Sequence, residues 1–485
     1  MRIAISPIIQ YNKKAVYQPP VFRFRPLAYT HEKRTYYWGL SLMKTNNKWA
    51  SKMGFILATA GAAIGLGNLW KFPYLMGRNG GFPFLVAYLF FICILGVPVM
   101  ITEMSLGRKT GKNPVLAYDT IHPHARIVGY FGVLAAFVIL SYYAIIGGWI
   151  IKYFVSYATA FQAPADFAAF TAKPVEPLIW FFIFMLITGL ICYFGVNGIE
   201  KASKFMMPAL FVILIVIIIR GVTLPGAGEG LAFIFSPKFE AFNITSVSAA
   251  LGQVFYSLSL CMGITITYGS YLNKEVSIPR SCMNIAALDT TIAVLAGIAI
   301  FPAVFASGLE PASGPSLIFV TLPKVFDALK GGTVFAALFF LLVLFAAVTS
   351  AVALLEVCAS FVMGTWHWSR KKAVLLLATA IFLLGIPSSL SFGPLADISI
   401  LNYNIFDFVC MLTDNIFLPL GGIFMCYYVA WKWSPKNLIA EIEQNGVRFR
   451  LAKIWIFLIK FITPVMVAIV TITGFIAIYH TVSGR

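Results

Sequence analysis

Eleven stretches of roughly twenty apolar residues run through this chain, centred near residues 63, 93, 142, 187, 212, 258, 295, 347, 381, 418 and 467. A hydrocarbon layer about 30 Å thick is crossed by about 20 helical residues. In that layer only helices and closed barrels satisfy every backbone N–H and C=O. The chain therefore reads as an all-α polytopic membrane protein. Its composition agrees, with 60% hydrophobic and 11% charged residues over 485 positions, where soluble domains carry about a quarter charged residues. An odd number of crossings places the two termini on opposite faces.

The net charge of +18 would suit nucleic acid, but its distribution argues otherwise. Basic residues fall in alternate loops: Arg108, Lys109, Lys112 and Arg126, then Lys274 and Arg280, Arg370 to Lys372, and Lys432 to Lys453. That is the positive-inside pattern. It sets the N-terminus, with Lys44, Lys48 and Lys52, in the cytoplasm and the C-terminus in the periplasm or outside. Nucleic acid is excluded as a partner, and the lipid bilayer is implied. The seven cysteines lie in or beside apolar stretches, so they form neither an external disulfide framework nor a metal-ligand spacing. Residues 1–42 are basic and proline-bearing without a secretory apolar run, and Met43 opens a more compact start. Either translation begins at Met43 or a basic tail precedes the first span.

The first apolar stretch is built to break. Ala60-Gly61-Ala62-Ala63-Ile64-Gly65-Leu66-Gly67-Asn68 places three glycines and an asparagine in the middle of a crossing. Five stretches later, Gln253 to Gly263 interrupts a second crossing with Ser257, Ser259 and Gly263. Breaks at matching positions of two five-helix halves point to an inverted-repeat transporter with a site near the midplane. Taken singly, Gly61-xxx-Gly65 and Ser257-x-Ser259 serve equally as small-residue packing faces. Gly198 and Pro208 weaken the cytoplasmic end of the fifth stretch, which reads either as a segment that unwinds or as a static kink. Residues 308–332 read as an external re-entrant helical cap.

Ionisable side chains inside a span are costly and mark function. Glu103, Asp289, Glu356 and Asp407 are four such residues. Asp289 lies deep in its stretch and needs a cation or a proton. Adjacent hydroxyls at Thr349 and Ser350 add oxygen donors of the kind hard cations take, although either hydroxyl can instead bond back to its own helix. The five histidines lie at span ends or outside, and no paired acid, nucleophile-base pair or HExxH spacing occurs within the spans. An enzyme is disfavoured.

Residues 61–73, Asn79-Gly80-Gly81, Gly107-Arg108, Gln253 to Ser259 and Val348-Thr349-Ser350 together resemble the neurotransmitter:sodium symporter family, in particular its bacterial LeuT-like amino-acid transporters. The resemblance runs from about Trp49 to the chain end. It implies a LeuT-type 5+5 inverted repeat plus an added eleventh helix. Residues 1–48 are then a tail, 49–222 and 223–432 the two five-helix repeats, and 433–485 a loop and the last helix.

By the same resemblance, two sodium sites are expected. The first takes Ala63, Asn68, Ser257, Asp289 and the substrate carboxylate; the second takes Gly61, Ile64, Ala346, Thr349 and Ser350. The substrate would lie against Ala63, Gly65, Gly67, Ile139, Tyr143, Tyr256, Ser257, Ser259, Met262 and Leu354, with the Tyr143 hydroxyl on its carboxylate. Gly65 stands where monoamine carriers of the family place an aspartate, which favours an amino acid. Met262 and Tyr256 suit a large apolar or aromatic side chain. Asp289 replaces an asparagine of the animal members, whose chloride lies near the positions of Tyr88, Gln253 and Ser257. No chloride requirement is expected, and Asp289 is available to carry a proton on the return step. Glu103 corresponds to a buried glutamate that satisfies freed backbone N–H groups.

Lys71 and Asp407 are expected to pair across the outer pathway, with lysine supplying charge but no bidentate fork. The inner gate departs from the family: the basic residue three before Trp49 is Asn46, and the acidic one late in the eighth stretch is Gly364. Trp49, Tyr271 and Glu356 are the expected substitutes, with Lys48 or Lys52 as further candidates. The function expected is sodium-coupled import of an amino acid in a bacterial inner membrane. A proton-coupled carrier and a substrate-sensing, non-transporting homologue are the alternatives, and a weak homodimer is the protein partner left open.

Overall fold

The computed structural model describes residues 48–483, apart from 165, 238, 241, 307, 309–316 and 447. The tail before Lys48, the Met43 start and Asn46 lie outside the described residues. The first crossing is two helices, α1 (Lys52–Ala63) and α2 (Gly67–Arg78), bent by 51° at the break between them. Ser51 starts α1 by accepting the Gly54 N–H on its side chain. Ile64 ends it in an extended conformation, where the glycines on either side remove the preference for continuing the helix.

Eight further helices complete the frame: α3 (Phe82–Thr110), α4 (Pro123–Ala160), α5 (Glu176–Tyr193), α6 (Gly195–Val222), then α7 (Ile244–Ser257) and α8 (Ile264–Ser270), α9 (Ile278–Ala306) and α10 (Gly332–Trp366). Three more follow: α11 (Arg370–Leu390), α12 (Ile405–Lys432) and α13 (Ala452–Ser483). Among the described residues nine helices are long and apolar enough to cross a membrane, and the bent pair α1–α2 makes ten. The eleven crossings read from sequence require α7 and α8, each too short alone, to count as one interrupted span.

Long buried α10 is the central strut, packed against α4, α6 and α1. The broken helices are wedged among these straight neighbours. α8 lies against α3 at backbone distance, because a Cβ at Gly107 would overlap the Ile266 carbonyl and one at Gly269 would meet the Met104 carbonyl oxygen at 2.6 Å. Close backbone approach at small residues is the usual way helices associate in lipid. Helix α6 runs unbroken through Gly198 and Pro208, so in this structure the stretch read as able to unwind is wound. The described part of the expected cap is helical over Leu317–Thr321 and Leu322–Ala328. It sits on an aromatic cluster in which Phe319 meets Trp70, Trp149, Tyr153 and Phe167.

After α12 a short helix, Lys436–Ile442, tucks under the end of α3. There Arg108, buried, donates to Glu441 at 2.8 Å, to the Glu441 carbonyl at 2.6 Å and to the Val276 carbonyl at 2.6 Å. Such a pair is costly to break from one side.

The Gly107 contact gives a first prediction. Gly107→Ala should push α3 and α8 apart and lower stability by about 1–3 kcal/mol, the usual range for overpacking. Thermal unfolding in detergent followed by tryptophan fluorescence checks it, with a melting temperature equal to wild type as the contrary result.

Candidate functional site

The two breaks meet. Residues 258–263 between α7 and α8 include Ser259 (φ 52°), Cys261 (φ 60°) and Gly263 (φ 74°), and left-handed backbone at two non-glycine residues is held only by its surroundings. Glu103 on α3 supplies part of that hold by accepting the Cys261 N–H at 3.4 Å and the Thr265 hydroxyl at 2.5 Å. Ser259 donates to the Ala62 carbonyl at 3.1 Å, and Ser350 from α10 donates to the same carbonyl at 3.0 Å. Tyr143 on α4 accepts the Leu66 N–H at 3.3 Å. Freed backbone groups of each break thus find side chains on the other or on the struts, as buried polar groups must.

Between the breaks and α4 and α10 lies a narrow cavity of about 30 Å³. Ala63, Gly65, Gly67, Ile139, Tyr143, Tyr256, Ser259, Met262 and Leu354 line it, together with Ala62, Leu66, Ile264 and Ser350. Ser257 is not among the lining residues; it faces the carboxylate described next. A Cβ at Gly65 would stand 2.5 Å from Ser350 Oγ and 2.9 Å from the Tyr143 hydroxyl, so a side chain there requires those two groups to move.

Beside the cavity, Asp289 is fully buried. Its Oδ1 accepts from Asn68 Nδ2 at 2.8 Å, its Oδ2 accepts from Ser257 Oγ at 2.8 Å, and the Tyr88 hydroxyl lies 3.2 Å from Oδ2 and 3.0 Å from Ser257 Oγ. Asn68 Oδ1 accepts the Gly65 N–H at 3.3 Å, and Gln253 Nε2 donates to the Gly67 carbonyl at 2.9 Å. Every partner of Asp289 is neutral. Among the described residues no ion pair reaches it, and a buried carboxylate so placed demands a cation or a proton. On the other side of the α1 break, Thr349 bonds back to the Phe345 and Ala346 carbonyls at 3.1 Å each, and Ser350 Oγ lies 3.4 Å from the Gly61 carbonyl. Gly61, Ala346, Thr349 and Ser350 are thus gathered as an all-oxygen set, the chemistry a hard cation selects; Ile64 follows in the extended turn.

The outer pair is corrected by the structure. Lys71 Nζ lies 3.2 Å from Asp414 Oδ2 and 4.3 Å from the centre of the Tyr256 ring, while Asp407 accepts from Asn404 Nδ2 at 2.8 Å at the start of α12. Asp407 and Asp414 are seven residues apart, two turns along one helix face, so sequence spacing admits both. The reach of Lys71 selects the deeper one.

At the start of α1, Trp49 Nε1 donates to the Tyr268 carbonyl at 3.0 Å, and the Trp49 backbone N–H donates to the Tyr271 carbonyl at 3.3 Å. The Tyr271 hydroxyl donates to Glu356 at 2.8 Å. Glu356 is held bidentately by Arg370, at 2.6 and 3.0 Å, a strong geometry for a buried pair. Arg370 also donates to the Cys192 carbonyl at 3.3 Å. In the sequence Arg370 reads as one of the loop charges, and no spacing marks it as the partner of Glu356. The described ion pairs include neither Lys48 nor Lys52. Gly364 abuts Asn113. Among the described residues no cluster of three or more His, Cys, Asp or Glu forms a metal site.

A polytopic helical protein with two interrupted helices meeting at a buried carboxylate has the architecture of a membrane transporter. The chain belongs to the sodium:neurotransmitter symporter family, whose model it matches over residues 46–167 and 173–483; these are sodium-dependent transporters, not enzymes. It is 39% identical over 435 residues to an uncharacterized sodium-dependent transporter of Bacillus subtilis, YhdH, covering 87% of this chain and 96% of that one. A sodium- and chloride-dependent taurine transporter of Rattus norvegicus is 27% identical, over 82% of this chain and 73% of its own length. Among solved structures, the crystal structure of MhsT in complex with L-phenylalanine has a TM-score of 0.82 at 43% identity, over 89% of this chain and all of that one. The overall architecture is accordingly the LeuT fold.

The outer pair is testable in any assay of uptake. Asp414→Asn should raise the apparent KM about two- to five-fold, in line with the ~1 kcal/mol ceiling of partly exposed pairs, and Asp407→Asn should change it less than that. A larger effect at Asp407 would reverse the assignment.

Proposed function

We propose that this chain is a sodium-coupled symporter that imports a large apolar or aromatic L-amino acid by alternating access. The observation that carries the proposal is the uncompensated Asp289 carboxylate beside a cavity built from both backbone breaks. A cation entering there meets Asp289, Asn68 and Ser257 together with the Ala63 carbonyl, and a substrate carboxylate in the space left by Gly65 shares that cation. Sodium and amino acid then each strengthen the binding of the other, a reciprocal coupling of the kind that links two gradients. A second sodium is assigned to Gly61, Ile64, Ala346, Thr349 and Ser350, where it would bridge α1 to α10 and favour the wound, outward-facing state.

The substrate carboxylate is assigned to Tyr143 and the side chain to Ile139, Tyr256, Met262, Ile264 and Leu354, an apolar set with one aromatic face. MhsT, a relative of known structure, is in complex with L-phenylalanine, which supports the same substrate class. Lys71 and Asp414 serve as the outer gate, and Trp49, Tyr271, Glu356 and Arg370 as part of the inner one. The reading takes residues 49–222 and 223–432 as inverted five-helix repeats and 433–485 as the loop and eleventh helix. It sets the protein in a bacterial inner membrane with the N-terminus inside and the C-terminus outside, and it requires no partner beyond the lipid bilayer, with a weak homodimer compatible.

Asp289 also bears on chloride. A fixed carboxylate next to Tyr88, Gln253 and Ser257 supplies the negative charge that an anion would otherwise bring. Radiolabelled amino-acid uptake into proteoliposomes should therefore need an inward sodium gradient, vanish in potassium and persist when gluconate replaces chloride. Asp289→Asn should cut the rate in gluconate at least tenfold, about 1.4 kcal/mol, with chloride restoring part of it. Equal uptake in sodium and potassium, driven by an imposed proton gradient, would contradict sodium coupling; collapse of wild-type uptake in gluconate would contradict the role given to Asp289.

A further inference from the structure

Lys460 is a cation inside a helix long and apolar enough to cross a membrane, and no acidic group among the described residues answers its charge. It stands eight residues into α13, about 12 Å along the axis, level with the last turn of α12. Among the described residues no carboxylate pairs with it and no carbonyl or hydroxyl accepts from it. Its Nζ lies instead 4.3 Å from the centre of the Trp431 ring and 5.5 Å from that of Phe461, and these two rings meet edge to face at 6.1 Å. Ring faces attract an ammonium group but give its three N–H donors no lone pair. A charge so placed is costly until an acceptor arrives.

The backbone explains how cation and ring meet. Leu458–Ile462 and Tyr428–Lys432 are each a single π-helical turn, a wide form found mostly as isolated turns and often at functional sites. The two turns touch, and each supplies one member of the pair. Lys432 closes the turn on α12 and reaches back over the Tyr427 ring at 5.9 Å. Tyr427 and Trp431 are four residues apart, hence neighbours on one helix face, so the two ammonium groups hang over adjacent rings. Tyr427, Trp431 and Phe461 are all exposed, and in a bilayer such a face meets lipid.

The segment joining the two helices adds no free counter-charge. Residues 432–460 hold six basic and two acidic residues; Glu441 is taken by Arg108, and Glu443 accepts the Phe449 N–H at 2.9 Å. From Phe461 onward, exposed Val465, Ile469, Ile472 and Ile476 recur every three or four residues along α13, an apolar track of about 22 Å. Two cations at one end of such a track match the phosphate and acyl chain of a phospholipid, and basic pockets between spanning helices favour anionic headgroups. A zwitterionic lipid carries its own cation and gains less. Snorkelling into water would satisfy Lys460 alone, but it accounts for neither the paired wide turns nor the second ring-held cation.

We propose that the cleft between the end of α12 and the start of α13 is a binding site for an anionic phospholipid, with its phosphate held by Lys460 and Lys432 and one acyl chain laid along the α13 track. The site is separate from the central cavity and is read without any transport.

Native mass spectrometry of the full chain, delipidated in detergent and titrated with phosphatidylglycerol or phosphatidylcholine, tests it. Wild type should bind its first phosphatidylglycerol about tenfold more tightly than phosphatidylcholine, and Lys432→Met/Lys460→Met should abolish that preference. Lys432→Arg/Lys460→Arg, and Lys436→Met/Arg450→Met at exposed cations of the same segment, should each keep it within about twofold. Equal binding of the two lipids by wild type overturns the proposal, as does a Lys432→Met/Lys460→Met variant that keeps the preference. An equal loss in Lys436→Met/Arg450→Met would mean diffuse surface charge and overturns it too. Glycerol phosphate in large excess should leave the lipid bound; displacement would make the ligand a free phosphate ester and contradict the lipid assignment. If the double Met variant at 432 and 460 does not stay folded, Trp431→Leu decides: it keeps every charge, removes the ring beneath Lys460 and should weaken phosphatidylglycerol about threefold, with unchanged affinity as the contrary result.

Discussion

The buried carboxylate of Asp289, which has no charged partner among the described residues, organises the centre of this molecule. Asp289 spends its lone pairs on Asn68, Ser257 and Tyr88, which ties α9 to the breaks in the first and second interrupted helices. Those neutral bonds fix its geometry and leave its charge uncompensated, in a setting where an isolated charge is among the most expensive things a protein can bury. The rest of the site follows from that constraint. Asn68 lies at the start of α2 because α1 has already ended, and the carbonyls released by the break stay buried only because Ser259 and Ser350 reach them.

Glycine matters here for approach more than for freedom. At Gly65 a side chain would fill the space between Tyr143 and Ser350, and at Gly107 and Gly269 it would force apart helices that touch through their backbones. The broken helices are thus packed against straight struts at distances that larger residues could not tolerate, while polar groups at the breaks are answered by Glu103, Tyr143 and the serines. This combination permits an irregular backbone at membrane depth, where it is tolerated only inside protein or along a cavity.

Much of this was legible in the sequence, for a physical reason. Glycine, asparagine and hydroxyl residues in an otherwise apolar run have no reason to be there unless they serve the backbone or a ligand, so both breaks and Asp289 stood out; nine of the ten residues read as the pocket line one cavity. What could not be read depended on side-chain reach. Asp407 and Asp414 share a helix face, and only the position of Lys71 selects between them. Arg370 looked like one more cytoplasmic charge, because its bond to Glu356 crosses the end of a helix. The second interrupted span was visible in sequence although its halves are too short to pass as crossings alone.

The central claim is that the cation proposed at Asp289 and the amino acid are bound as a linked pair. Equilibrium binding of a labelled apolar or aromatic amino acid to the purified protein, titrated against sodium, tests this without gradients or transport. The account predicts that sodium tightens amino-acid binding and that saturating amino acid tightens sodium binding by the same factor, as linkage requires, with Asp289→Asn reducing both. Amino-acid affinity that is identical in sodium and potassium would contradict it.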